Sequence, residues 1–199
     1  MSSKVVCDIA ISADGYAAGL YQTLDRPFGD GPVDRLTAWM FDTPEENKAE
    51  IDQIVSAGAF IMGRNMFAPG RGEWDLDWQG WWGEDPPYHG PVFVLTHYPR
   101  EPLAMQGGTT FTFVTDGIHS AMNQARAAAG DRDVAIAGGA TTVNQYLAAG
   151  MIHELRTHVA PVVLGAGERL FEGVGPQHLE LISARSTSLV THICYRTIG

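Results

Sequence analysis

The sequence predicts an α/β protein: a mixed, mainly parallel sheet with helices on both faces, ending in an antiparallel hairpin. Three observations predict it. Short apolar runs alternate with helix-like segments through the middle of the chain, the pattern of parallel strands joined by crossover helices. Two of those runs pass directly from strand to glycine to helix start: 133–142 (Asp-Val-Ala-Ile-Ala-Gly-Gly-Ala-Thr-Thr) and 60–67 (Phe-Ile-Met-Gly-Arg-Asn-Met-Phe). Near the C-terminus, two strand-like runs at 179–184 and 189–196 lie close enough to pair as a hairpin.

The elements follow in order. Residues 4–12 are rich in β-branched side chains and read as a first strand. A turn at 13–15 leads into a loop over 16–34 that carries glycines and prolines. Thr43-Pro44-Glu45-Glu46 predicts a helix start, with Thr as N-cap, Pro at the first position and acids in the first turn. That helix is expected to reach about residue 56, with Ile51, Ile54 and Val55 on its buried side. A short buried strand at 59–62 precedes a helical turn at 65–68, which Pro69-Gly70 ends. The stretch 70–90 holds Trp74, Trp78, Trp81 and Trp82 among glycines, acids and prolines, and predicts a long irregular loop. Strands are expected at 91–96 and 110–114, then a helix capped by Asp116 that runs through 129. A strand at 134–137, a helix at 141–149 ended by Gly150, and a strand at 154–159 follow. A glycine-rich connection over 161–172 leads to the hairpin.

The chain has 199 residues and 45% apolar residues, which predicts one domain over 1–199 with a substantial core. Its formal net charge is −10, and Lys4 and Lys48 are its only lysines. Such a balance argues against nucleic acid or an anionic membrane as partner, because both need a basic face. Eleven arginines leave room for a local anion site. No apolar run approaches the ~20 residues of a membrane span, and a cytoplasmic protein is expected. Cys7 and Cys194 sit in apolar strand-like segments and are expected as buried free thiols, with a disulfide as the alternative. The seven histidines show no metal spacing; His153 and His158 would face opposite sides of one strand. No metal is expected.

Two strand-to-helix junctions imply one ligand with more than one anionic part. Glycine bares the backbone there, and the first helical amides point outward with the positive end of the dipole. The spacing of Gly138-Gly139 is not the Gly-x-Gly-x-x-Gly of a Rossmann domain.

Five segments together resemble one family: Ser12-Ala-Asp-Gly15, Met62-Gly-Arg-Asn65, Val94-Leu-Thr-His97, Gly138-Gly139, and 151–171 (Met-Ile-His-Glu-Leu-Arg-Thr-His-Val-Ala-Pro-Val-Val-Leu-Gly-Ala-Gly-Glu-Arg-Leu-Phe). The chain resembles the dihydrofolate reductase-like fold in its riboflavin-pathway reductase branch, the RibD C-terminal domain. The resemblance covers nearly the whole chain and implies that three-layer fold, NADPH as cofactor, and hydride transfer to a small heterocycle. It implies that Gly63, Arg64, Asn65 and Met66 meet the cofactor phosphates, with Arg64 as a phosphate clamp. By the same resemblance Thr96 and His97 meet the adenosine 2′-phosphate, and Gly138, Gly139, Ala140 and Thr141 form the diphosphate turn. Ala10 and the small residues from Gly15 through Ala18 to Gly19 would lie beneath the nicotinamide.

Asp8 interrupts its apolar strand on the same face as Ala10. It is therefore a candidate proton donor in the cofactor cleft, or alternatively an acid paired with a basic neighbour. Trp39, Glu46, Leu164 and Gly165 are candidate substrate contacts, and the tryptophan loop is either a stacking lid or core filling. Dihydrofolate reductase itself holds its pterin with a helical acid; the matching position here falls near Asn47, which argues against folate reduction. Within the reductase class the candidates are the 5-amino-6-(5-phosphoribosylamino)uracil of riboflavin synthesis and a pterin. A small-molecule binding protein without turnover is the alternative class. The resemblance also implies a homodimer formed through the terminal hairpin.

Overall fold

The computed structural model describes residues 3–198. Its strands and helices are β1 (Val5–Ser12), β2 (Tyr16–Ala18), α1 (Ala38–Phe41), α2 (Lys48–Ile54), β3 (Ala59–Gly63), α3 (Arg64–Phe67), β4 (Pro91–Leu95), β5 (Leu103–Ala104), β6 (Thr110–Val114), α4 (Ile118–Ala129), β7 (Val134–Gly138), α5 (Ala140–Ala148), β8 (Glu154–Ala160), β9 (Glu168–Arg169), β10 (His178–Ser186) and β11 (Thr191–Ile198). Nine strands form one sheet in the order β10-β11-β8-β1-β7-β3-β4-β6-β5. The strands from β8 to β6 run parallel, while β11, β10 and β5 are antiparallel to their neighbours. This is the expected mixed, mainly parallel α/β sheet with its terminal hairpin.

Alternation along the strands divides the molecule into layers. Val5, Cys7, Ile9 and Ile11 of β1 pack with Ile61 and Ile136 under Ala121, Met122 and Ala125 of α4 and Val143, Tyr146 and Leu147 of α5. Val6 faces the other way, with Phe60, Met62, Val92 and Val94, toward Phe67 and the partly buried Trp74, Trp78 and Trp82. Burying one such aromatic or branched side chain is worth about 1.5–3 kcal/mol, so the two apolar layers fix which side chains are left for the C-terminal strand ends.

Three local expectations are corrected. The predicted helix from Thr43 is two pieces: a 3-10 turn at Pro44–Glu46 and α2, with Asn47 at φ −122° between them. Thr43 makes no cap; its hydroxyl donates to the Trp39 carbonyl instead. Ile51, Ile54 and Val55 are only half-buried. Asp116 does not cap the next helix either, because Gly117 holds the N-cap position at φ +88° and the Asp116 carboxylate accepts from the Thr115 hydroxyl. Finally, the loop at 16–34 contains β2, which pairs with β9 in a two-stranded sheet and so ties the loop to the glycine-rich connection.

Candidate active site

The two glycine junctions meet. β3 and β7 are adjacent and parallel, with Met62 opposite Gly138, so both end at the C-terminal rim of the central strands. A Cβ on Gly63 would overlap the Thr142 hydroxyl, and a Cβ on Gly138 would stand 3.3 Å from Met66 Sδ. Gly138 has φ +127°, a backbone conformation that L side chains rarely adopt. A Cβ at Gly139 would meet nothing within 4 Å, so the backbone there borders open space. Gly139 is the N-cap of α5 and brings no side-chain cap. The first amides of α5 have no partners within the helix and carry the positive end of its dipole. Gly63 is small because Thr142 of α5 packs on it, so the open cradle for an anionic group is at the Gly139 backbone and the first α5 amides.

The remaining expected residues are placed unevenly. Ala10 is half-buried on β1, next to β7 in the sheet. Thr96 is buried just beyond β4, where its hydroxyl bonds with the Tyr98 backbone, and His97 beside it is exposed. Asn65 is exposed and Met66 lies against Gly138. Ala140 is buried, whereas Thr141 is exposed and donates its hydroxyl to Glu168 at 2.8 Å.

Arg64 is not held ready as a clamp. Its Nη1 donates to the Gly72 carbonyl at 2.6 Å and Nη2 to that of Glu73 at 3.3 Å, while the guanidinium lies 4.1 Å from the Trp74 ring. It fastens the tryptophan loop. Arg100 does the same through the carbonyls of Leu76 and Trp78. Trp74 and Trp78 also donate ring N–H bonds, to Tyr98 and Phe67 carbonyls, so this loop is core filling rather than a free lid.

The small residues after β1 have a reason other than ring stacking. A Cβ on Gly19 would overlap the Asp30 carbonyl, and one on Gly167 would overlap that of Ala18. The chain itself requires close approach at 18–19; only Gly15 borders open space. Leu164 and Gly165 donate their amides to Asp14, at 3.1 and 2.7 Å. The Ser12 hydroxyl, 2.6 Å from Asp14, and those amides hold this carboxyl down from 3.8 to about 2. Two other substrate candidates are turned away. Glu46 accepts from the Ser188 amide and hydroxyl on the hairpin turn. Trp39 is fully buried beneath His158 and His192, with ring centroids at 4.8 and 5.0 Å.

Asp8 does face away from the apolar layer of α4 and α5, but it is not a free carboxylate. Its Oδ2 accepts from Arg156 Nη1 at 3.1 Å, and Arg156 is also paired with Glu154 at 2.5 Å. Asp8 Oδ1 lies 3.4 Å from His158 Nε2. His158 Nδ1 meets His192 Nδ1 at 2.8 Å, and His192 Nε2 meets Asn47 Oδ1 at 2.9 Å. Burial and the neighbouring His158 push His192 down to about 4, so it is neutral near pH 7. His158, His192 and Asn47 were not recognisable as one cluster in the sequence. The one available signal was alternation on β8, which puts Arg156 and His158 on a common face.

An apolar recess of about 240 Å³ opens beyond the ends of β1 and β8, lined by Pro32, Ala38, Pro161, Val162 and Leu189 with Arg35 as its charged residue. The Ala13 amide donates to Val162, which joins this recess to the turn after β1.

The sequence profile of the RibD C-terminal domain matches residues 3–195. This chain belongs to the RibD C-terminal domain family. Its relatives include the uncharacterized protein YyaP of Bacillus subtilis (strain 168), 25% identical over 209 residues, covering 98% of this chain and 96% of that protein. Among solved structures, a protein of Shewanella sp. PV-4 provisionally assigned to riboflavin biosynthesis aligns with TM-score 0.65 at 22% identity, over 98% of this chain and 99% of that one. Riboflavin biosynthesis reductase Rib7 of Saccharomyces cerevisiae aligns with TM-score 0.59 at 15% identity, over 100% of this chain and 90% of that one. At these identities the structures establish the fold, which is the dihydrofolate reductase-like one. Asn47, between the 3-10 turn and α2, is buried and bonded to His192, Thr187, Trp39 and Thr43.

Proposed function

We propose that the chain is an NADPH-dependent reductase that transfers a hydride to a small heterocycle. One observation carries this: Gly63–Met66 and Gly138–Thr142 converge at the C-terminal ends of two neighbouring central strands, around an uncapped helix N-terminus and open backbone at Gly139. That is a seat for a diphosphate. Gly138, Gly139 and the α5 amides would hold it, His97 would lie toward the 2′-phosphate end, and Ala10 would lie under the nicotinamide. Bound there, the cofactor would supply a hydride; the protein has to position the two rings and exclude water. The recess beside β1 and β8 suits a flat, weakly charged ring, since Arg35 is its one cationic lining residue. Folate reduction is disfavoured, because Asn47 is an amide whose bonds are already made within the protein.

Thermal unfolding with NADPH and with NADH tests this. At 100-fold over Kd a ligand stabilises by about 2.7 kcal/mol, which for a chain of this length is a shift of roughly 5–10 °C. NADPH is expected to give it, and NADH a smaller one. Gly138→Ala, which places a Cβ in a strained backbone against Met66, is expected to abolish it. No shift with either dinucleotide would defeat the proposal. A shift without NADPH oxidation by any pyrimidine or pterin tried would favour a binding protein instead.

A further inference from the structure

The hydrogen bonds around Asp8 require a proton that the ordinary charge states do not supply. Start at Asn47, whose amide nitrogen donates to the Trp39 and Thr43 carbonyls. Its oxygen is therefore the acceptor, and His192 Nε2 must carry hydrogen. Burial and the neighbouring His158 favour the neutral form of His192, whose Nδ1 is then a lone pair. His158 Nδ1, 2.8 Å away, must then be the donor. This leaves His158 Nε2 facing Asp8 Oδ1 at 3.4 Å. Among the described residues neither atom has another hydrogen-bond partner, and both are buried. A neutral His158 and an ionised Asp8 would turn two buried lone pairs toward each other, which is costly. One proton between them removes the conflict, as Asp8–OH to His158 or as His158 imidazolium to Asp8.

The position of this pair gives it a use. In the β1–β8 register Ala10 stands directly beside His158, and Asp8 beside Arg156. We propose that Asp8 and His158 share a resident proton and that this pair is the proton donor of the reduction; the second half rests on the reductase function above. With reduced nicotinamide bound over Ala10, a hydride would pass to the carbon of a C=N or C=O bond. The π electrons of that bond move to nitrogen or oxygen, which takes the proton from the pair. Asp8 carboxylate and neutral His158 remain, and a proton from water restores the pair. Arg156, itself balanced by Glu154, favours the carboxylate left behind. Glu50, salt-bridged to Arg185, lies on the far side of His192, away from Asp8.

Three measurements test it, the first two on the free protein. Imidazole ¹⁵N spectra of the wild-type chain at pH 7 are expected to show His192 neutral with hydrogen on Nε2. They should also show His158 with hydrogen on Nδ1 and with Nε2 either protonated or accepting the hydrogen bond of the shared proton. Second, folding at pH 7–8 must take up this proton, because Asp8 is ionised and both histidines are mostly neutral when the chain is unfolded. The ratio of the unfolding constants of wild type and Asp8→Asn is then expected to change tenfold per pH unit, and His158→Gln should behave like Asp8→Asn. A neutral His158 without the shared proton, or equal pH slopes, overturns the resident proton. Third, saturating NADPH is expected to move the His158 signals. NADPH binding that leaves them unmoved overturns the donor role. A chain that does not bind NADPH overturns the reductase function and the donor role together, while the proton count stands on the first two measurements.

Discussion

Asn47 shows how one side chain can direct a buried network. It interrupts the predicted helix because its own bonds compete with helical ones: the amide donates to the Trp39 and Thr43 carbonyls, and the oxygen accepts from Thr187 and His192. Removing it leaves the buried His192 ring N–H without its acceptor and takes one bond each from the Trp39 and Thr43 carbonyls and the Thr187 hydroxyl, which keep the Thr43 hydroxyl, the Glu46 amide and the Val190 carbonyl as partners. At about 1–3 kcal/mol for the buried group left unpaired, with the weakened bonds adding to it, Asn47→Ala is expected to lose about 2–4 kcal/mol in urea unfolding. A loss below 0.5 kcal/mol would mean that the network is solvated. Asn47→Asp is expected to be nearly as damaging, since a carboxylate cannot donate to Trp39 or Thr43. None of this was legible in the sequence. Asn47 and His192 lie 145 residues apart; the β8–β11 register sets His192 opposite His158, and Asn47 reaches His192 from the segment before α2. Asp8 was legible as an acid in an apolar strand; Arg156 and His158 as its partners were not.

Strands and their order of appearance were legible because β-branched and aromatic runs between glycines and prolines have few other solutions. The elements that escaped are those held by contacts distant in the chain. β2 and β9 are three and two residues long, too short for a period, and exist because the turn after β1 is tied to the loop at 164–169. Asp14 makes that tie through Leu164 and Gly165. Asp14→Asn weakens two charge-assisted bonds at once, and faster hydrogen exchange at 161–169 is expected, with β1 itself unchanged. The pH dependence has a definite sign. The Asp14 carboxyl is held at about 2 when folded, against 3.8. Its contribution is fully present above pH 4 and is lost as pH falls toward 2. Unaltered exchange at 161–169 in Asp14→Asn at pH 7 would show that β2–β9 pairing alone holds the loop.

The two edges of the large sheet differ in a way that bears on assembly. One ends in β5, two residues long. The other ends in β10, nine residues long and exposed along nearly its whole length, with Leu181 at 61% and Ile182 at 46% exposure. A long edge strand with outward leucine and isoleucine is a template for pairing with another chain, and proteins that stay monomeric blunt such edges with lysine, proline or a covering element. β10 contains neither lysine nor proline. Its Arg185 is engaged by Glu50, and Glu180 is paired across the hairpin with Arg196, so these charges are compensated within the chain. We propose that two copies associate through this hairpin about a two-fold axis, burying Leu181 and Ile182 of both. The cradle at Gly63 and Gly138 lies five and four strands from that edge, respectively, so the pairing leaves it open. Sedimentation is therefore expected to give twice the 21.5 kDa chain mass. Leu181→Lys with Ile182→Lys should halve it, because four lysines would then face one another across the axis, while the NADPH-dependent thermal shift is retained. A monomeric wild type, or a dimer indifferent to both lysines, would remove the hairpin from the interface.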